Sequence, residues 1–428
     1  MPASRSRRSR AGEVEAKTSL VTDQDYTKGV KHLGVNTNWL GKELELQIEK
    51  VAHGGIFVAR NESRVVFVSG AIPGETVKAK VYEDKGGSFA RADVTEVLVP
   101  SPDRVPHFWK NSNAGGAEFG HIALTRQREL KAEVLAEGLQ RFAGLEFTVP
   151  VESIDDNETG LGYRTRVQLH VNEFGDAGPY MERTHDVVKV KTLPLAVPEI
   201  QELGIHLKNW QSVRKISIAA SNTGGIQYLV DRKVKGDQQL IETAVGRTFR
   251  LSPGGFWQVH KNAANTLAEE VIALAKAAGF TKAADNLDLY GGVGLFSGAL
   301  ASAFGLESKL TSVESSKQAS ADAKKNLADL HHFRSVATGT LDFLKRMQKM
   351  APNSTVVLDP PRSGAGREVV AELLRLAPAH IIYVACDPIA LARDLKDFTM
   401  AGYQVAKMRA FDLFPHTHHF ETVVSLVR

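Results

Sequence analysis

Residues 286–294 read N-L-D-L-Y-G-G-V-G, a short apolar strand that contains Asp288 and runs into a glycine-rich turn. Glycine lets a backbone turn sharply and approach a ligand closely. A helical pattern begins directly after Gly294, so the stretch predicts a strand, a tight turn and a helix in succession. Turns of this kind hold ligands at the carboxyl end of a parallel sheet. The alternative is a glycine turn with a structural role only.

The alternation of strands and helices continues from this turn to the C-terminus. It predicts an α/β fold over residues 251–428, a doubly wound, Rossmann-like and mostly parallel sheet whose ligands lie at the strand ends. The strand candidates are N-L-D-L-Y, L-T-S-V-E, S-T-V-V-L-D, H-I-I-Y-V-A, Y-Q-V-A-K-M-R-A and E-T-V-V-S-L-V.

The chain upstream of this domain falls into three further parts. Short alternating strands with glycine and proline turns predict a small closed OB-type barrel over residues 36–99, a common platform for nucleic acid, with a generic barrel as the alternative. Residues 100–250 are predicted to form a mixed α+β central domain. Residues 1–35 hold Arg5, Arg7, Arg8 and Arg10 in a Ser-rich start. We predict a disordered basic tail there, which could touch phosphates or only solubilise the chain.

The central domain carries one helical stretch and several basic residues. The helix is predicted from Thr125 to Phe142, and strand-like runs follow near residues 165–171, 186–190 and 216–220. Basic residues near these strands could line an RNA groove, although an ordinary solvated face explains any one of them. They are Arg164, Arg166, Arg183 and Lys189.

Composition excludes several classes of protein. The chain has 428 residues, 43% of them hydrophobic, and a net charge of +4. No apolar run of about 18 residues is present, and the basic start lacks a signal-like apolar segment, so we expect a cytoplasmic protein without a membrane span. A single cysteine excludes a disulfide framework and a cysteine-built metal site. The mildly basic balance is compatible with RNA as a partner, and we expect a monomer.

The glycine turn favours one cofactor over another. Glu314 ends the next strand, 26 residues after Asp288, where an acid suits the hydroxyls of a ribose. The full G-x-G-x-x-G pattern is missing. An acidic strand end would repel a pyrophosphate but tolerates a sulfonium. The pattern therefore favours S-adenosylmethionine over a dinucleotide.

The ends of later strands carry the remaining chemistry. Residues 358–364 read L-D-P-P-R-S-G. The D-P-P tract is typical of methyltransferases that act on exocyclic amines, but these place an aromatic residue where Arg362 stands, so amine methylation is disfavoured. The next strand ends in V-A-C-D-P, which brings Cys386, the only thiol, to the same edge. The segment F-P-H-T-H-H-F-E ends in Glu421, which opens the last strand.

A thiol and a carboxylate together suit methylation at carbon 5 of uracil. Addition of the thiolate at carbon 6 makes carbon 5 nucleophilic, and a base must then remove the carbon 5 proton so that the thiol can leave. Familiar cytosine-5 RNA methyltransferases use two cysteines, and this chain has one. Glu421 has a structural alternative, which is pairing with His416, His418 or His419.

Five ordered motifs resemble the RNA 5-methyluridine methyltransferase family (TrmA/RumA type): F-W-Q-V-H, L-D-L-Y-G-G-V-G, L-D-P-P-R-S-G, V-A-C-D-P-I-A-L-A-R-D-L and D-L-F-P-H-T-H-H-F-E-T-V. The Gly-Gly turn at residues 54–55 and the A-I-P-G-E-T segment resemble an RNA-binding TRAM domain. The resemblance covers residues from about 42 onward and implies a class I methyltransferase acting on RNA. It implies that the cofactor contacts are Gln258, Tyr290, Glu314 and Asp359, that Asp359 could also touch the base, that Cys386 is the nucleophile and that Glu421 is the proton acceptor.

Three positions depart from the family pattern near the site. Gly291 stands where the family usually has Cys, and Leu295 stands where some members have a cofactor-contacting Asn. Asp387 replaces the usual Asn beside Cys386. Its negative charge would raise the pKa of the thiol unless the carboxylate points away.

A further departure lies in residues 100–122. This segment resembles one that binds an iron–sulfur cluster through a C-G-G-C core in many ribosomal-RNA members. Here Ala114 and Ala117 flank Gly115-Gly116, and a cluster needs four thiolates. We therefore expect no iron–sulfur cluster.

The substrate and even the activity have alternatives. Ribosomal RNA is favoured because the transfer-RNA enzymes of the family commonly lack the barrel, and transfer RNA stays open. The departures leave a non-catalytic RNA-binding or assembly protein on a degenerate fold as the second interpretation. A methyltransferase for another nucleobase is the third.

Overall fold

The computed structural model describes residues 38–428, apart from residues 110–112 and 156–157. The basic tail predicted over residues 1–35 lies outside the described residues. None of the helices in the described part of the chain is long and apolar enough to cross a membrane.

The first five strands close into a barrel in the order β1-β2-β3-β5-β4, which confirms the predicted OB-type fold. Alternate residues point into the barrel, as in β4, where Val77, Ala79 and Val81 are buried. The turn between β1 and β2 contains His53, Gly54 and Gly55. The strands are β1 (Glu43–Ala52), β2 (Ile56–Asn61), β3 (Arg64–Ser69), β4 (Thr76–Glu83) and β5 (Phe89–Val99).

Helix α1 (Leu124–Gly138) joins the barrel to the rest of the molecule. Its Leu130 and Val134 belong to the apolar cluster of the barrel, together with Phe57 and Phe119, whose ring centroids lie 6.0 Å apart. The helix continues into a π-helical turn, Leu139–Ala143. The barrel and α1 therefore share one core.

The central part is built around a five-stranded antiparallel sheet in the order β11-β10-β9-β7-β8 and a two-stranded sheet, β12-β13. Its elements are β7 (Arg166–Val171), β8 (Ala177–Gly178), α2 (Pro198–Glu202), the 3₁₀ turn Ile205–Leu207, β9 (Lys215–Ala220), β10 (Ile226–Val230), β11 (Lys233–Gly236), β12 (Leu240–Ala244) and β13 (Arg247–Leu251).

The strand expected near residues 186–190 is wrong. Only an isolated bridge between Tyr180 and Val187 forms there. Val188 and Val190 are buried in an apolar cluster while Lys189 is exposed. This alternation of buried and exposed residues resembles that of a strand, although no neighbouring strand in the described part of the chain pairs with the segment.

An eight-stranded sheet follows in the order β16-β15-β14-β17-β18-β20-β19-β6. Within the described residues, β20 alone runs antiparallel to its neighbours, so the predicted doubly wound, mostly parallel sheet is confirmed. Its strands are β6 (Val151–Ser153), β14 (Asn286–Leu289), β15 (Leu310–Glu314), β16 (Phe333–Ala337), β17 (Thr355–Leu358), β18 (His380–Ala385), β19 (Gln404–Asp412) and β20 (Glu421–Val427). The edge strand β6 comes from upstream of residue 251.

Helices cover both faces of this sheet. Val356 and Leu358 point into one apolar cluster and Val357 points into the other, which explains the continuous apolar runs of the strands. The helices are α3 (Ala263–Ala277), α4 (Leu295–Phe304), α5 (Lys317–Asn326), α6 (Thr340–Arg346), α7 (Arg367–Leu376) and α8 (Pro388–Met400).

Candidate active site

One cavity of about 800 Å³ lies along the carboxyl edge of the parallel strands, within the size range of ligand pockets. Tyr290, Glu314, Asp359 and Cys386 stand at or just beyond the ends of β14, β15, β17 and β18. All six residues singled out from the sequence line this cavity: Gln258, Tyr290, Glu314, Asp359, Cys386 and Glu421.

Glu421 reaches this edge because its strand runs in the opposite direction. Ala385 is paired with Thr422 in the antiparallel register of β18 and β20. Cys386 and Glu421 are the next residues outward on the two strands. An antiparallel neighbour begins where a parallel strand ends, so the register brings the thiol and the carboxylate to adjacent positions.

The glycine turn after β14 is tightly packed. Tyr290 has φ = 62°, and Gly294 has φ = 95° at the start of α4. A Cβ on Gly291 would lie 2.1 Å from Ser312 Oγ, so a larger residue at this position would require Ser312 to move. Ser312 is fully buried, and its hydroxyl has no hydrogen-bond partner among the described residues. Gly291, which stands where the family usually has Cys, therefore lies directly against a buried serine of the neighbouring strand β15.

Two acids hold the turn after β14 and the start of α4 in place. Glu314 accepts hydrogen bonds from the backbone N–H groups of Gly292 at 3.1 Å and Ser316 at 2.6 Å, which orders the turn. Asp288 is fully buried and accepts from the N–H and the hydroxyl of Ser297. Ser297 was not singled out from the sequence, and its position in the first turn of α4 was the available signal.

Three carboxyl groups with raised pKa values lie at this edge of the sheet: Asp359 and Glu421 line the cavity, and Asp288 is buried at the end of β14. Burial raises the pKa of Asp288 to about 6. Burial and the neighbouring Asp288 raise the pKa of Asp359 to about 7. Burial and Asp359 raise the pKa of Glu421 well above its usual value.

These groups suit a cationic ligand. Asp288 Oδ1 and Glu421 Oε2 are buried without hydrogen-bond partners in the described chain. Buried carboxylates that lack partners are stabilised by a nearby positive charge. The residues present therefore fit S-adenosylmethionine, which carries a sulfonium.

Cys386 is partly buried beside these acids. Burial, together with the neighbouring Glu421 and Asp359, raises the pKa of its thiol to about 12, and Arg362 opposes this rise. Arg362 also lines the cavity. In the sequence it served only to argue against amine methylation, so its effect on the thiol was missed.

Both carboxylate oxygens of Asp387 have partners other than the thiol. Its Oδ1 accepts hydrogen bonds from the backbone N–H groups of Ile389 at 3.0 Å and Ala390 at 2.8 Å and so caps α8. Its Oδ2 lies 2.9 Å from His53 Nε2 in the barrel. Burial acts to raise the pKa of Asp387, but the contact with His53 lowers it. The sequence pattern contained no signal for this partner.

Leu295 cannot replace the hydrogen bond of an Asn. Its side chain is buried in the apolar cluster beside Phe296, and it lines a small space next to Tyr290.

Two of the three histidines near Glu421 have other partners. His416 Nε2 lies 2.9 Å from the carbonyl oxygen of Thr159, and His418 contacts Glu118. His419 lines the cavity. No ion pair between Glu421 and these histidines is present in the described structure, so the pairing alternative lacks support.

Of the four basic residues of the central part, only Arg164 lines the cavity. Arg166 pairs with Glu242 at 2.5 Å, and Arg183 pairs with Asp93 at 2.7 Å. Lys189 pairs with Asp176 at 2.7 Å.

The segment around Gly115-Gly116 is packed through apolar contacts. Ala114 and Ala117 are buried in the same apolar cluster as Trp109. Gly115 N donates to the carbonyl oxygen of Tyr180 at 2.8 Å.

Two models of known protein families match parts of this chain. A family model described as tRNA (Uracil-5-)-methyltransferase matches residues 246–428. The TRAM domain model matches residues 39–95, which contain β1 to β4 and most of β5.

Similar proteins match over nearly the whole chain. An uncharacterized RNA methyltransferase from Streptomyces avermitilis is 38% identical over 90% of this chain and 98% of its own length. Another uncharacterized RNA methyltransferase, from Streptomyces coelicolor, is 38% identical over 90% of this chain and 93% of its own length. The crystal structure of a Pyrococcus abyssi tRNA (uracil-54, C5)-methyltransferase in complex with S-adenosyl-L-homocysteine shares the fold with a TM-score of 0.68. It is 21% identical and matches over 90% of this chain and all of that one.

Proposed function

The chain belongs to the RNA uracil-5-methyltransferase family, and from this membership we propose that it methylates carbon 5 of a uridine through a covalent adduct with Cys386. The observation that carries the proposal is the β18–β20 register, which brings Cys386 and Glu421 to adjacent positions in one cavity. Gln258, Tyr290, Glu314 and Asp359 line the same cavity and are proposed to hold the cofactor.

Cys386 and Glu421 divide the reaction between them. The Cys386 thiolate forms a bond to carbon 6, and the displaced electron pair makes carbon 5 nucleophilic. S-adenosylmethionine supplies the methyl group that carbon 5 takes up. The Glu421 carboxylate then accepts the proton from carbon 5, the double bond re-forms and the bond from sulfur to carbon 6 breaks. The raised pKa of Glu421 makes its ionised form a strong proton acceptor.

Thiolate formation is the demanding step for this chain. Burial places the pKa of Cys386 at about 12, and Arg362 is the side chain that lowers it. Arg362 is therefore proposed to stabilise the thiolate when the base is in place.

The remaining domains are proposed to bind RNA. The barrel, residues 36–99, and the central domain, residues 100–250, flank the methyltransferase domain, residues 251–428. Residues 38–99 contain eight Lys or Arg and nine Asp or Glu. Their contribution to RNA binding should therefore depend on shape and hydrogen bonds more than on net charge.

Ribosomal RNA is the first candidate substrate and transfer RNA the second. The barrel supports ribosomal RNA through the family resemblance. The likeness to the Pyrococcus abyssi transfer-RNA enzyme over 90% of this chain supports transfer RNA. Nucleoside mapping of both RNA classes from a strain that lacks the gene decides between them, because 5-methyluridine should disappear from one class only.

A Glu421→Gln variant tests the catalytic proposal. Glutamine cannot accept the carbon 5 proton, so thiolate addition and methyl transfer should proceed while elimination stalls. We expect a protein–RNA adduct that survives denaturing electrophoresis and carries a labelled methyl group.

Two controls sharpen this experiment. The double variant with Cys386→Ala should form no adduct, although it should bind the cofactor within a few-fold of wild type. Glu270→Gln changes a buried glutamate outside the cavity and should form none either. Near wild-type turnover of a folded Glu421→Gln protein would refute the assignment.

A further inference from the structure

The barrel contacts the methyltransferase domain directly beside the nucleophile. His53, in the turn between β1 and β2, lies with its Nε2 2.9 Å from Asp387 Oδ2, and Asp387 follows Cys386 in the chain. Both side chains are largely shielded from solvent. A crevice of about 10 Å³ separates this turn from Cys386, room for about one water, so the two domains are closely packed.

The turn is shaped for this close approach. Gly54 and Gly55 have φ values of 89° and 76°, which glycine adopts without strain. A Cβ on Gly55 would lie 3.0 Å from His418 Cβ. The backbone therefore comes against the segment that precedes β20, and this seats His53 opposite Asp387.

The charge of Asp387 matters because Cys386 already has acidic neighbours. The groups around the thiol come from several elements: Asp359 and Arg362 after β17, Asp387 at the start of α8, His418, His419 and Glu421 at the start of β20, Lys131 in α1 and His53 in the barrel. Asp387 is the group closest to the thiol in sequence, and its charge acts against thiolate formation.

We propose that His53 is a positioning residue that holds the Asp387 carboxylate toward the barrel by a hydrogen bond and so keeps its charge directed away from Cys386. The contact fixes Asp387 as the cap of α8, with its free oxygen directed at the imidazole instead of the sulfur. The barrel thereby favours the Cys386 thiolate in addition to any role in RNA binding. The catalytic meaning of the contact rests on the proposed function of Cys386.

Alkylation of the thiol tests the contact without relying on methyltransferase activity. Cys386 is the only cysteine, so the mass increase of the intact protein with iodoacetamide reports this thiol alone. Without this hydrogen bond the Asp387 carboxylate is free to turn toward the sulfur, and a negative charge closer to the thiol raises the pKa of the thiol by about one unit. His53→Ala should therefore slow alkylation at pH 8.5 about tenfold. His53→Gln can still donate a hydrogen bond, so its alkylation rate should lie between those of wild type and His53→Ala.

The same substitution in an Asp387→Asn background is the decisive comparison. Asparagine keeps the cap of α8 but removes the charge. Asp387→Asn should react at least as fast as wild type, and adding His53→Ala should change the rate less than twofold. Lys50→Ala removes a barrel contact with Glu137 away from the thiol and should leave alkylation unchanged.

The outcomes separate the proposal from simple domain docking and from the proposed function. If His53→Ala only loosened the packing of the barrel, the thiol would become exposed and alkylation would be faster in both the wild-type and the Asp387→Asn background. Either this result, or an equal slowing in both backgrounds, would overturn the proposal. With 5-methyluridine formation as the second readout, the kcat/KM profile of His53→Ala should move to higher pH. If Cys386→Ala retains activity, the proposed function fails while the alkylation result still stands.

Discussion

At the scale of single residues, the chemistry of the cavity depends on carboxyl groups whose neutral form is favoured by burial. Asp359 has a pKa of about 7 because it is buried and lies near Asp288. Its charged form therefore becomes abundant only as the pH rises through neutrality. A sulfonium near Asp359 should be bound more tightly by the charged form than by the neutral form.

This predicts a pH dependence that distinguishes two similar ligands. Affinity for S-adenosylmethionine should rise about three- to tenfold from pH 6 to pH 8, while that for the uncharged thioether S-adenosylhomocysteine should change much less. Asp359→Asn should reduce the difference between the pH dependences of the two ligands. Calorimetric titration at both pH values measures it, and equal pH dependence of the two ligands would count against the placement of Asp359.

At the scale of elements, the turn between β14 and α4 is fitted to the adjacent strand β15. Gly291 and Ser312 meet where a Cβ would lie 2.1 Å from the Ser312 hydroxyl. That hydroxyl is buried and has no hydrogen-bond partner within the described structure. Removing it should therefore cost little stability.

Gly291→Ala should destabilise the fold by about 1–3 kcal/mol and weaken cofactor binding, because the added methyl group overpacks the turn. Adding Ser312→Ala should restore most of the stability and most of the cofactor affinity, since it removes the obstructing oxygen. Chemical denaturation and S-adenosylhomocysteine binding provide the readouts. If the second substitution fails to rescue the first, the turn is constrained by something other than this contact.

At the scale of the whole molecule, α1 ties the barrel to the sheet. The helix packs Leu130 and Val134 into the barrel core, while Lys131 Nζ lies 2.6 Å from Asp412 Oδ1 at the end of β19. Both side chains of this ion pair are almost fully buried. Removing one partner leaves an uncompensated buried charge.

Lys131→Met should lower the free energy of unfolding by about 3–5 kcal/mol, and adding Asp412→Leu should recover most of the loss. The exposed pair Lys50–Glu137 provides a control, because Lys50→Met should cost less than about 1 kcal/mol. Urea denaturation measures each difference. A small effect of Lys131→Met would mean that Asp412 finds another partner or takes up a proton.

The sequence by itself determined the barrel and the doubly wound sheet, because strand alternation and glycine turns are local patterns. The six site residues were predicted from motifs that resemble a known family, and all six line one cavity. It failed at residues 186–190, where burial imitates strand pairing. Sequence also located Asp387 beside Cys386 but could not give the direction of its carboxylate. Tertiary structure decided that direction through His53, which is 334 residues away in the chain. It likewise brought Ser312 against Gly291 and placed Glu421 opposite Cys386. Such contacts depend on register and domain packing, which bring together residues that no local pattern connects.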